Sequence, residues 1–139
     1  MGQSRIPKRR YRDEVKLSIL GLGGMLLVDL DQKEADKIVA QSFERGINYF
    51  DVAPFYGNGE AEKSLGIALE PYRNRAFLAC KTLERSASGA LAELDESLRR
   101  LRTDFIDLYQ FHAVADEEEV EEIFAPGGAC DAFMLARQK

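Results

Sequence analysis

Four repeats of one pattern constrain what this 139-residue chain can fold into. Each repeat is a short β-type run that ends in glycine or a polar residue and is followed by an amphipathic helical stretch. The runs end at Gly23, Asp51, Lys81 and His112, which are 28, 30 and 31 positions apart. Successive strand–helix units of that length imply a parallel sheet with right-handed helical crossovers. The fold class expected is α/β, four consecutive βα units, and because a complete (β/α)8 TIM barrel needs about 250 residues, the chain could build only half of one. Periodicity alone leaves open a flavodoxin-like sheet that would bind a nucleotide.

Within that frame, residues 1–14 read as a basic N-terminal arm and 15–139 as strands one to four with their helices. Val15–Gly24 is expected as a buried strand, followed from Asp31 by a helix with its apolar stripe on Ala35, Ile38, Val39, Phe43 and Ile47, stopping at Gly46. Asn48–Ala53, Ala76–Thr82 and Thr103–Ala113 are the next strands. A helix over Gly59–Leu69 precedes Pro71, and the clearest helix, Ala87 to Leu101, has Ser86 or Ser88 as its cap. The last helical unit, Asp116–Lys139, is interrupted by Pro126-Gly127-Gly128. Cys80 is expected to pack under the helices and Cys130 on a helix face.

The arm and the apolar run resemble a secretory signal only superficially. Asp13 and Glu14 interrupt the basic stretch, glycines punctuate the apolar one, and no small-x-small cleavage site follows. The run is too short to cross a bilayer. A net charge of −5 argues against a nucleic-acid binder that works by neutralising phosphates. Two cysteines fit a reducing compartment, so a cytoplasmic location is expected. With one histidine, any metal site would have to be built on carboxylates, and none is expected.

Parallel strands bring their C-terminal ends to one face, where sites on α/β folds lie. Asp51, Lys81 and His112 are therefore expected on one rim, with Tyr56 in the loop after strand two leaning over it. Taken singly, each has an ordinary reading: a turn cap, a solvated charge, a packing aromatic, a hydrogen-bonded strand end. Together they have a chemical logic. A phenol, with an ordinary pKa near 10, gives up its proton reluctantly at neutral pH. An ammonium beside a phenol eases that release, and an aspartate holds the ammonium in place. A neutral imidazole can orient a carbonyl oxygen by hydrogen bonding. The set suits protonation of a carbonyl oxygen as hydride reaches its carbon.

The run FDVAPFYGNGEAEKSLGIAL resembles the D-x-A-x-x-Y-G signature of the aldo-keto reductases. ACKT and LYQFHA resemble that family's lysine and histidine strands, and KRRYRDEVKLSILGLGGM its N-terminal segment. The resemblance implies reduction of an aldehyde or ketone with NADP(H), or alternatively NAD(H), on a (β/α)8 barrel of which the four βα units would form the N-terminal half. It implies Tyr56 as general acid, Lys81 and Asp51 as its tuning pair and His112 as the carbonyl-orienting residue. Gly23, Gly24, Met25 and Asp51 would lie near the nicotinamide ribose. In this family the loops after later strands hold the cofactor's phosphates and adenine, and GLGGM does not supply a G-x-G-x-x-G substitute. A half-barrel is expected to leave strands one and four as open edges and its inner face uncovered. The expected partners are thus a small carbonyl substrate and either a second copy or a missing C-terminal half, with no nucleic acid and no membrane. The competing expectation is a truncated half-barrel without activity, or a fragment that binds a partner.

Overall fold

The computed structural model describes residues 5–138; positions 1–4 of the expected arm and Lys139 lie outside them. The basic segment is not a bare arm. Strand β1 (Lys8–Arg12) pairs antiparallel with β2 (Val15–Ser18) around Asp13, whose φ is +45° and whose carbonyl accepts from Arg10 Nε at 2.7 Å. The apolar run expected as one strand over Val15–Gly24 is therefore divided, and only Leu22–Gly23 (β3) joins the main sheet. Two local causes separate the pieces. The Ser18 hydroxyl donates to the Leu20 carbonyl at 2.6 Å, and at Gly21 a side-chain Cβ would lie 2.6 Å from the Tyr49 ring.

The main sheet runs β3–β4–β5–β6, with β4 at Tyr49–Asp51, β5 at Phe77–Thr82 and β6 at Leu108–Phe111, and all three pairings are parallel. The spatial order follows the chain order without reversal. An open doubly wound sheet reverses at its switch point, so this order is that of a barrel segment. Strand β6 is shorter than the stretch expected over Thr103–Ala113. Arg73 holds residues 103–107 in a turn, donating to the Phe105 carbonyl at 2.7 Å and pairing with Asp107 at 3.1 Å. Asp107 in turn accepts from the Leu78 amide at 2.9 Å, so the β5–β6 ladder begins only at Ala79 and Leu108.

Among the described residues, five α-helices accompany the strands: α1 (Gln32–Glu44), α2 (Glu60–Leu69), α3 (Ala87–Leu101), α4 (Glu117–Phe124) and α5 (Ala129–Ala136). Asp31, Ser86 and Asp116 cap α1, α3 and α4 by accepting from the amides of Glu34, Gly89 and Glu119. Side chains alternate across the sheet. Phe50, Leu78 and Cys80 point into a core shared with Val39, Leu65, Leu69 and Leu101, each side chain contributing about 1.5–3 kcal/mol on burial. Tyr109 and Phe111 pack against Phe133 of α5 on the same side.

The other face, the inner face of the half-barrel, carries Tyr49, Asp51, Phe77, Ala79, Lys81, Leu108 and Gln110 by the same alternation. It is less bare than the sequence suggests. Tyr11 of the hairpin meets Phe77 edge-on at 5.7 Å, and Tyr49 stacks on Phe77, so both strand aromatics are half-buried. Asn48 fastens the hairpin to β4, accepting from the Ser18 amide at 2.7 Å and donating to the Lys16 carbonyl at 2.9 Å. Among the described residues no helix is long and apolar enough to cross a membrane.

Candidate active site

The strand ends converge as the repeat demands. Asp51 closes β4, Lys81 stands near the end of β5, and His112 follows β6, with its amide donating to the Thr82 carbonyl at 2.8 Å. Gly23 sits opposite Asp51 in the β3–β4 register. Tyr56 enters from the turn after β4, where Gly57 and Asn58 adopt φ near +59° and +52° and Gly59 +88°. Gly57 suits that backbone because it has no Cβ, and the turn throws Tyr56 over the rim.

Lys81 forms an ion pair with Asp51, with the lysine side chain 12% exposed and the aspartate 27%. A nearly buried ammonium needs such a counter-charge, since burial of a lone charge is costly. The Lys81 ammonium also lies 5.3 Å from the centre of the Tyr56 ring, and the His112 ring meets that ring edge-on at 5.9 Å. All four expected residues are thus brought together. Burial, then the nearby Lys81 and Arg85 cations, push the His112 imidazole below its ordinary 6.5, against an opposing pull from Asp51. The ring is accordingly neutral at neutral pH, with its Nδ1 buried and without a protein partner.

Of the residues expected near the cofactor, Gly23 faces open space, since a Cβ there would meet no atom within 4 Å. Gly24 is packed, its Cβ position only 2.9 Å from Val52, and Met25 is exposed in the 3-10 turn that follows β3. Exposed apolar side chains occur on all four strand-end loops: Met25 and Leu26, Phe55, Leu83 and Val114. Among the described residues, no group of three or more histidine, cysteine or acidic side chains is placed to hold a metal ion.

Sequence reasoning missed a buried polar cluster on the helical side of β5. Glu62 is fully buried, pairs with Arg100 at 3.1 Å and accepts from the Cys80 thiol at 3.5 Å. Burial and the Glu62 carboxylate push that thiol up to about 12, so Cys80 stays a protonated packing residue. Burial likewise raises the Tyr109 hydroxyl. Thr82 donates to Glu93 at 2.5 Å. The signal was available in part: Glu62 shares the helical stripe of Leu65 and Leu69, a position where a charge must find a partner. Arg85 was missed as well. It donates to the His112 carbonyl at 2.7 Å, and no sequence pattern marked it.

Residues 19–133 match the family model for the aldo/keto reductase family. The chain is 36% identical over 110 residues to the aldo-keto reductase YhdN of Bacillus subtilis, an alignment spanning 70% of this chain and 33% of that protein. Among solved structures, it resembles the aldo-keto reductase AKR11C1 from Bacillus halodurans in its holo form, with a TM-score of 0.79 and 32% identity over 96% of this chain and 47% of that one. It also resembles an aldo-keto reductase from Klebsiella pneumoniae in complex with NADPH, with a TM-score of 0.66 and 26% identity over 88% of this chain and 45% of that one. The chain thus spans about a third to a half of the length of these relatives. The sequential parallel sheet, the strand-end residues and the family match lead to one conclusion: the chain belongs to the aldo/keto reductase family, and its fold is a partial (β/α)8 barrel.

Proposed function

We propose that this chain supplies the proton-transfer side of an NADP(H)-dependent carbonyl reduction, with Tyr56 as the general acid. The observation that carries this reading is the convergence of the Asp51–Lys81 pair and the His112 ring on Tyr56. When bound, a nicotinamide supplies hydride to the carbonyl carbon. Tyr56 gives its hydroxyl proton to the carbonyl oxygen, so the substrate leaves as an alcohol. Lys81, held by Asp51, faces the negative charge left on the phenol oxygen. His112, neutral, offers a ring N–H to the same carbonyl oxygen and orients it.

The nicotinamide end fits the residues present. Gly23 leaves a bare strip beside Asp51, which a side chain would fill, and the exposed Met25 follows in the next turn. NADPH is favoured over NADH by the Klebsiella relative that is described in complex with it. The exposed apolar side chains on the strand-end loops, Met25, Leu26, Phe55, Leu83 and Val114, favour an aldehyde or ketone with an apolar substituent. The unpaired edges at β3 and β6 support a working form in which a second half-barrel, from another copy or from a C-terminal half, completes the sheet. The test is Tyr56→Phe. Carbonyl reduction should fall by about 10²–10⁴-fold with NADPH affinity nearly unchanged; preserved turnover would remove Tyr56 from the mechanism.

A further inference from the structure

Among the described residues, Arg85 is a buried cation that touches the site without belonging to the four convergent residues. Its side chain is 10% exposed, and its Nη2 donates to the His112 carbonyl at 2.7 Å. The same guanidinium reaches Glu119 of α4, from Nε at 3.4 Å and from Nη2 at 3.3 Å. Its backbone is pinned too: the Arg85 carbonyl accepts from Ala129 at 2.6 Å, next to a bridge between Ser86 and Gly128. Glu119 is fixed in its turn, accepting from the Ala115 amide at 2.7 Å. Between the two gripped points lies Ala113 at φ +52°, a left-handed conformation that a residue with a Cβ adopts only when its surroundings impose it.

We propose that Arg85 is a positioning residue for His112: anchored on Glu119, it grips the His112 carbonyl and fixes where the imidazole stands on the rim. The planar fork of the guanidinium bonds carbonyl and carboxylate at once, which a lysine ammonium does with poorer geometry. The proposal rests on the reading of His112 as a substrate-orienting group, yet it can be tested without turnover. The groups that face the ring are Tyr56, Lys81, Asp51, Glu93 and Arg85 itself.

His112 is the only histidine, so its Hε1 proton gives a single, assignable NMR signal in the full chain. In wild type one sharp signal is expected, titrating below 6.5. Arg85→Ala should raise that midpoint toward 6.5 and broaden or double the signal. Arg85→Lys keeps the charge but not the fork, and should still broaden or double it. Should Arg85→Ala not fold, Arg85→Lys and Glu119→Gln decide, with Arg99→Ala on the exposed face of α3 as the silent control. A single, unmoved signal in the folded Arg85 variants would overturn the proposal. If instead the signal responds while Tyr56→Phe retains full reduction, the catalytic reading fails and the positioning role stands.

Discussion

Lys81 carries the largest burden of any single side chain, because its ammonium answers Asp51 and faces the Tyr56 ring at the same time. Lys81→Met should therefore slow proton donation by about two orders of magnitude while NADPH binding persists; unchanged turnover would show that the pair is structural only. His112 carries a pH signature. Its imidazole titrates below 6.5 in the folded chain, so below that value the unfolded chain binds the proton more readily. Stability is thus expected to fall as pH drops from about 6.5 through the folded midpoint, and more in wild type than in His112→Gln. Urea unfolding at pH steps across that window checks the difference. Asp51, Lys81 and His112 were legible in the sequence because parallel strands deliver their ends to one rim, and Tyr56 because it follows Asp51 in the loop beside that rim. Arg85 was not, since its partner is a backbone carbonyl, which leaves no trace in residue type.

Helices α2 and α3 meet through a buried charge pair set into the apolar core that Leu65, Leu69 and Leu101 share. Removing Arg100 leaves the fully buried Glu62 carboxylate with only a thiol, and Arg100→Ala should destabilise the chain by about 3–5 kcal/mol. The close approach depends on Gly66, where a Cβ would lie 2.7 Å from the backbone of Arg100 and Leu101. Gly66→Ala gains about 1 kcal/mol of helix propensity but forces that contact, which costs about 1–3 kcal/mol, so net destabilisation is expected in thermal or urea melts. The helices were legible from their stripes and from the caps Asp31, Ser86 and Asp116. Strand one was not. Val15–Gly24 is uniformly β-leaning, and the signals that divide it, a hydroxyl at 18 turning back on the chain and a glycine slipping past Tyr49, depend on tertiary neighbours. The hairpin of β1 and β2 was hidden by its charge, since exposed strands need not alternate with apolar residues. Strand four lost its first half to Arg73, a clamp that only the folded loop reveals.

Among the described residues, the four-stranded sheet has two unpaired edges, at β3 and β6. Parallel edges of this kind pair with whatever completes them, so the purified chain is expected to sediment as a species larger than its 15.6 kDa monomer. A monodisperse, well-folded monomer would contradict that expectation. The central claim is that the strand ends form a nicotinamide and carbonyl site, and titrating NADPH into the purified chain, followed by the cofactor's own fluorescence, tests it most directly. Gly23→Val is the companion, because its side chain would enter open space beside Asp51 without meeting any atom of the fold within 4 Å at its Cβ. Wild type is expected to bind saturably and Gly23→Val to lose that binding. No saturation at millimolar NADPH, or the same curve for both proteins, would contradict it.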